Sequence, residues 1–185
     1  MRKLVHWVHQ SVDGFIEGPK GEFDWAAMGP ELSAYSFELT DRADAFLYGG
    51  TVWGLMSWYW PRAEQISQDP HDLRFAPIWA RTPKIVISRT LESAEYGARV
   101  IGRDLAAEVA ELKAQPGGDL LLTGGSGAAA ALGELGLVDE YQVVVHPVVL
   151  GGGTPVFPGK ERLDLRLTGT RGFDGRSVLL RYERA

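Results

Sequence analysis

Apolar positions along the chain follow two rhythms. Short unbroken or alternating apolar runs predict eight strands, at Leu4 to His9, Ala45 to Tyr48, Lys84 to Ser88, Arg99 to Ile101, Asp119 to Thr123, Tyr141 to Val145, Leu163 to Thr170 and Ser177 to Tyr182. The last two alternate strictly, which puts Leu163, Leu165 and Leu167, then Val178, Leu180 and Tyr182, on one face. Between the strands a period near 3.6 predicts about four helices. Gly29-Pro30 opens the first, with Leu32, Tyr35 and Leu39 on one side, and Thr51 caps a second that runs through Trp58 until Pro61 stops it. Asp104 caps a third carrying Leu105, Val109 and Leu112, and Ser126 caps a fourth whose Leu132 and Leu135 face inward before Gly136 ends it. Strand and helix alternate through the first three quarters, so right-handed crossovers and a mainly parallel central sheet are expected. Only strands follow, so the C-terminal end of this α/β sheet should be antiparallel.

At 185 residues, with no internal repeat and no linker, residues 1–185 read as a single domain. The absence of cysteine removes disulfides, thiolate metal sites and thiol nucleophiles, and suits a cytoplasmic home. No long apolar run and no cleavable leader pattern occurs, so no membrane partner is expected. Net charge is −5 with Lys and Arg dispersed, which argues against a nucleic-acid partner. The 23 glycines change the picture more, because several cluster where strands give way to helices.

The strongest such cluster is Leu120-Leu121-Leu122-Thr123-Gly124-Gly125-Ser126-Gly127, followed by an alanine-rich helix start. Three glycines remove side chains that would keep a ligand off the backbone, and the helix N-terminus points its N–H groups at the same spot, which suits a pyrophosphate. Tight helix-to-sheet packing explains the same glycines. Gly125-x-Gly127-x-x-Ala130 matches a dinucleotide fingerprint, but it comes late and mostly strands follow it. Ser126 on a strand-to-helix turn, with Asp139 and His146 after it, also follows the order of a serine hydrolase, although the last glycine of that motif is missing. A second glycine turn, Gly49-Gly50-Thr51, again joins strand to helix, and Ser88-Arg89-Thr90 gathers two hydroxyls and a guanidinium at another strand end, the grouping a phosphomonoester needs. His6 and His9, three apart on a strand, face opposite ways and cannot chelate one metal ion. Trp25 offers a wall for a flat ligand, whereas Asp13 is consistent with a simple Asx turn.

Taken in order, five segments resemble the dihydrofolate reductase fold, and within it the reductase domain of the bifunctional riboflavin-biosynthesis deaminase-reductase. They are Ser11-Val12-Asp13-Gly14-Phe15-Ile16 with Asp24-Trp25, Arg42-Ala43-Asp44-Ala45 with Gly49-Gly50-Thr51, Val86-Ile87-Ser88-Arg89, Gly124-Gly125-Ser126-Gly127, and Leu150-Gly151-Gly152-Gly153-Thr154-Pro155. The resemblance implies hydride transfer from NADPH to the C=N or C=O carbon of a small heterocycle, nearest to 5-amino-6-(5-phosphoribosylamino)uracil reductase. Dihydrofolate reduction and non-catalytic nucleotide binding are the alternatives. It implies that Gly49, Gly50, Thr51, Ser88, Arg89, Thr90, Gly124, Gly125, Ser126 and Gly127 bind the cofactor, and that Asp13, Trp25, Glu31 and Tyr35 line the substrate side. Glu31 is nearest to the acid of folate reductases without falling on its position, and no proton donor is assigned. From Glu22 to Asp41 there is no Lys or Arg, so a neutral or cationic planar heterocycle is expected over a phosphorylated one. The family's dimeric habit and the run Trp58-Tyr59-Trp60 point to a homodimer. A valine at Gly125 is expected to remove cofactor binding and leave the fold intact.

Overall fold

The computed structural model describes all 185 residues. Ten strands and six α-helices follow in the order β1 (Leu4–Ser11), β2 (Phe15–Glu17), α1 (Pro30–Arg42), β3 (Ala43–Gly49), α2 (Gly50–Tyr59), α3 (Ala63–Ile66), α4 (Pro70–Arg81), β4 (Lys84–Ile87), β5 (Arg99–Ile101), α5 (Leu105–Ala114), β6 (Asp119–Leu122), α6 (Ser126–Glu134), β7 (Glu140–His146), β8 (Thr154–Pro155), β9 (Leu165–Phe173) and β10 (Ser177–Arg184). Eight strands form one sheet in the order β5-β4-β3-β6-β1-β7-β10-β9; β2 and β8 pair separately. Every neighbour from β5 to β7 is parallel, and β10 is antiparallel to both β7 and β9. The α/β class, the eight strands and the antiparallel end are as expected from the sequence.

Strand parity distributes the core between the two faces. In β3, Phe46 and Tyr48 point to one side and Ala45 and Leu47 to the other; β6 splits Leu121 from Leu120 and Leu122, and β1 splits Val5 and Trp7 from Leu4. The first face is covered by α1, α2 and α4 through Leu32, Phe37, Trp53, Phe75 and Trp79, and the second by α5 and α6 through Val109, Leu112, Ala129 and Leu132. At about 1.5–3 kcal/mol for each large apolar side chain fully buried, the two layers supply most of the driving force for folding.

Five helices reach nine residues or more, rather than four. The one not anticipated is α4, whose start is orthodox: the Asp69 carboxylate accepts from His71 N at 2.8 Å and Pro70 occupies the first turn. Pro77 inside it lacks the N–H a helix uses, which hides the segment from a propensity reading. Buried Phe75 and Trp79 hold it against the sheet regardless. Two caps also move. Gly49 and Gly125 are the N-caps of α2 and α6, so Thr51 and Ser126 sit inside their helices and make no side-chain cap bond. Leu135, expected inward, is half-exposed, because α6 ends at Glu134. Leu163 just before β9, Leu165 and Tyr182 do pack on one face, but Leu167 and Val178 remain open, and the deeply buried apolar residues of β9 and β10 are Phe173 and Leu179, in the opposite cluster.

Asp139 lies just before β7. Its carboxylate accepts from Leu4 N at 2.7 Å and pairs with buried Lys113 at 2.6 Å, and Lys113 also donates to Leu137 O at 3.0 Å. Removing the carboxylate strands an ammonium away from water. Asp139→Ala should therefore cost about 2–3 kcal/mol in urea unfolding; an unchanged midpoint would show that water replaces the carboxylate freely.

Candidate active site

The carboxyl ends of β4, β3, β6, β1 and β7 share one edge of the sheet, and the turns leaving them build the site. The turns after β3 and β6 touch backbone to backbone. Gly49 N–H donates to Gly124 O at 3.2 Å, and a Cβ on Gly125 would come within 3.1 Å of both Cα and N of Gly49. Gly125 has φ +93°, a conformation that L side chains rarely adopt. Glycine here is a packing necessity, and the same bareness leaves the first N–H groups of α6 facing open space. The expectation that a valine at Gly125 spares the fold is therefore overturned: the branched side chain meets the Gly49 backbone first.

Beside this contact lies a cavity of about 600 Å³. Of the ten residues expected to bind a cofactor, Gly49, Gly50, Thr51, Ser88, Arg89, Gly125 and Gly127 line it. Thr90, Gly124 and Ser126 flank it in sequence without lining it. Ser88 Oγ accepts from Thr90 N at 3.2 Å and Leu91 N at 3.1 Å and lies 3.3 Å from the Thr90 hydroxyl, so both hydroxyls are engaged in shaping the turn. The Arg89 guanidinium is exposed and belongs to none of the nine ion pairs. Gly127 differs from Gly125, since a Cβ there would meet nothing within 4 Å. Gly102, Leu105 and Glu134 also line the cavity and were missed. Gly102 belongs there because β5 pairs with β4 and a Cβ at its φ of +136° would strike the Ser88 carbonyl, a relation visible only once the strands are paired.

At the ends of β1 and β7 a second group assembles. His9 Nδ1 and His146 Nε2 lie 2.8 Å apart with their rings stacked, and Trp25 stands edge-on to His146 with centroids at 5.6 Å. Burial, reinforced by His146 and by His71, pushes His9 down to about 3; burial, then Arg176, pushes His146 down to about 4. Both rings are thus neutral at pH 7. No local pattern marks this pair, because 137 residues separate its members. His6 points to the opposite face, against Tyr141 and Phe157.

Of the residues expected on the substrate side, only Trp25 joins this group. Asp13 is spent on the chain itself: its carboxylate accepts from Leu150 N at 3.1 Å and Gly151 N at 2.8 Å, tying the loop after β1 to the glycine loop after β7. Tyr35 is buried in the core, where its hydroxyl donates to Gln142 Oε1 at 2.9 Å and its ring packs against Trp7 and Phe173. Glu31 accepts from Asp174 N, while the Asp174 carboxylate accepts from Glu31 N at 2.9 Å and Leu32 N at 3.2 Å, so the β9–β10 turn caps α1 and Glu31 completes the clasp. The hydrolase arrangement is likewise not assembled. Asp139 is held by Lys113 and Leu4, and His146 by His9, so no relay leads to Ser126.

The model of the RibD C-terminal domain matches residues 2–179. The chain belongs to the RibD C-terminal domain family. It is 35% identical to the uncharacterised YyaP protein of Bacillus subtilis (strain 168) over 98% of this chain and 94% of that one, and 27% identical to YwjB of the same organism over 100% and 99%. Among solved structures it superposes on a candidate riboflavin biosynthesis protein of Shewanella sp. PV-4 with a TM-score of 0.77 at 21% identity, covering 100% and 99% of the two chains. It also superposes on dihydrofolate reductase of Enterococcus faecalis complexed with NADP(H), with a TM-score of 0.64 at 13% identity over 98% and 96%. The RibD-type chain therefore has a dihydrofolate reductase-like fold.

Two predictions follow from the geometry of this family member. Gly127→Asp should leave the melting temperature unchanged or slightly raised, since an acidic side chain in a first helical turn is favourable by about 0.3–1 kcal/mol, whereas Gly125→Val should lose several degrees; equal thermal shifts for the two would contradict the contact described. Secondly, His6 (about 4), His9 and His146 are held neutral in the fold but protonate near 6.5 when unfolded. Stability is unaffected above pH 6.5 and falls as the pH drops from there toward 4, with an uptake of about three protons on unfolding near pH 5. Urea titrations at pH 7.5, 6 and 5 measure the slope.

Proposed function

We propose that this chain is an NADPH-dependent reductase of the riboflavin-biosynthesis type, delivering a hydride to the C=N or C=O carbon of a small planar heterocycle. The observation that carries this reading is the backbone contact of Gly49 with Gly124 and Gly125, which bares the N-terminus of α6 toward a cavity with the unpaired Arg89 guanidinium on its lining. The fit to a dinucleotide is chemical. Freed N–H groups and a helix N-terminus suit a pyrophosphate, Gly127 leaves open the space a Cβ would fill, and a guanidinium suits a 2′-phosphate. Gly49, Gly50, Thr51, Gly124, Gly125, Ser126 and Gly127 would hold the diphosphate region, and Ser88, Arg89 and Thr90 the adenosine end.

When bound, NADPH supplies the hydride. The chain's own part is to position the reacting carbon, exclude water and manage one proton. The Asp13 clamp fixes the two loops that border the histidine pair, and Trp25 offers a flat apolar wall. With both histidines neutral and no Lys or Arg between Glu22 and Asp41, the substrate side favours a neutral or cationic planar heterocycle over a phosphorylated one. A Thermotoga maritima protein of which this chain covers 57%, named a deaminase and 5-amino-6-(5-phosphoribosylamino)uracil reductase, superposes with a TM-score of 0.66 at 16% identity. Its reductase activity is the nearest assignment. The reading takes the chain as one cytoplasmic reductase domain and as a homodimer, for which exposed Trp58, Leu55 and Ile66 offer apolar surface; no helix is long and apolar enough to cross a membrane.

Calorimetry with NADPH and NADH should show NADPH bound about 10- to 150-fold more tightly, the equivalent of about 1.5–3 kcal/mol from charge-assisted bonds to the 2′-phosphate. Arg89→Ala should erase most of that preference without altering stability. Binding of neither dinucleotide would end the reductase reading, and turnover of the phosphoribosylamino pyrimidine faster than a dihydropterin would overturn the preference against a phosphorylated substrate.

A further inference from the structure

Neutral imidazoles hydrogen-bonded to one another constrain each other's protons. Each ring carries one N–H, and the 2.8 Å contact between His9 Nδ1 and His146 Nε2 requires one to donate and the other to accept. If His9 Nδ1 carries the shared proton, His9 Nε2 is bare and His146 Nδ1–H is a donor. If His146 Nε2 carries it, His9 Nε2–H is the donor and His146 Nδ1 is bare. The two arrangements have the same charge and interconvert by moving the shared proton together with one at each outer nitrogen.

The surroundings leave those outer nitrogens available. The side-chain polar atoms that are both sealed from solvent and unpartnered are His6 Nδ1, Thr123 Oγ1 and Arg181 Nε; neither His9 Nε2 nor His146 Nδ1 is among them, and neither has a partner within the chain. His9 is half-buried, whereas His146 is 1% exposed behind Trp25. Trp7 packs on His9 with centroids at 5.0 Å. The charged or titratable groups facing the pair are His71 of α4, itself held by Ser33 Oγ at 2.9 Å, and Arg176 of the β9–β10 turn; no carboxylate is bonded to either ring. A histidine oriented by a carboxylate keeps one tautomer, and this pair is free of that lock.

We propose that His9 and His146 form a two-ring proton relay that faces the substrate and supplies the proton accompanying the hydride. This rests on the reductase reading above. As the hydride adds to the C=N or C=O carbon, the π pair moves onto the nitrogen or oxygen, which takes the proton from His9 Nε2. The shared proton passes from His146 Nε2 to His9 Nδ1 as the bare His146 Nδ1 takes one from solvent, so each ring loses one proton and gains one and both end neutral in the other tautomeric arrangement. One solvent proton is consumed per hydride. A relay of this kind needs no imidazolium, which suits two rings whose burial keeps them neutral through the physiological range.

Two measurements test it. In protein labelled with 15N-histidine, between pH 5 and 8, both nitrogens of His9 and of His146 should show shifts averaged between protonated and bare. A ring fixed in one tautomer, or titrating near 6.5, overturns the proposal, and this readout needs neither cofactor nor substrate. For activity, His9→Gln and His146→Gln keep a hydrogen-bonding side chain that cannot pass a proton. They should hold the NADPH dissociation constant within about twofold while lowering kcat on the dihydropterin or phosphoribosylamino pyrimidine by about 100-fold or more, with a smaller change in KM. Turnover within threefold of the parent overturns the relay. If the parent chain neither binds NADPH nor turns over either compound, the reductase reading fails by itself and the tautomer measurement still decides whether the pair exchanges protons.

Discussion

Two chain segments meet at Gly49 and Gly125 with less room than a single Cβ requires, and the site depends on that closeness. The hydrogen bond from Gly49 to Gly124 joins the ends of β3 and β6, fixing where α2 and α6 begin. Because both helix starts are bare, the N–H groups that a helix leaves unpaired open onto the cavity. Packing and ligand recognition therefore do not compete as explanations for these glycines. The contact that demands glycine is the same one that makes the cavity.

Around this fixed point the chain spends its polar side chains on holding loops. Asp13 ties the segment after β1 to the one after β7, Ser11 Oγ accepts from Phe15 N at 2.9 Å, and Asp174 caps α1 from the far end of the sequence. Each is a carboxylate or hydroxyl taking backbone N–H groups that would otherwise lack partners, and so holding a loop or a helix start in place. Near the ends of β1 and β7 the histidine pair keeps its outer ring nitrogens free of partners within the chain. Its neutrality has a structural cost below pH 6.5, where the unfolded chain binds protons that the folded one refuses. A fold that keeps imidazoles uncharged and unlocked by carboxylates accepts that cost, and the proton chemistry proposed here is a reason for it.

Alternating and continuous apolar runs are enough to locate all eight strands of the main sheet, because a strand's burial repeats every two residues and the run lengths are short. The glycine turns after Tyr48 and Leu122 and the strand end at Ser88 are equally legible, since glycine clusters between a strand and a helix have few other uses. Helix α4 escaped because Pro77 argues locally against a helix, and only the burial of Phe75 and Trp79 outweighs it. Thr51 and Ser126 looked like caps by residue type, but the turn geometry gave that place to the glycines before them.

Fold class, the strand set, the antiparallel end and the position of the glycine turns are legible along the chain, since each follows from neighbours within one turn or one strand. The partners of Asp13, Glu31 and Tyr35 emerge only on folding, since they lie 137, 143 and 107 residues away. Tertiary structure also brought His9 to His146, through the parallel pairing of β1 with β7 that sets His9 opposite Val144 and Ser11 opposite His146. Local pattern is blind to such meetings because register between distant strands is fixed by the whole sheet, and with it which polar groups remain free to do chemistry.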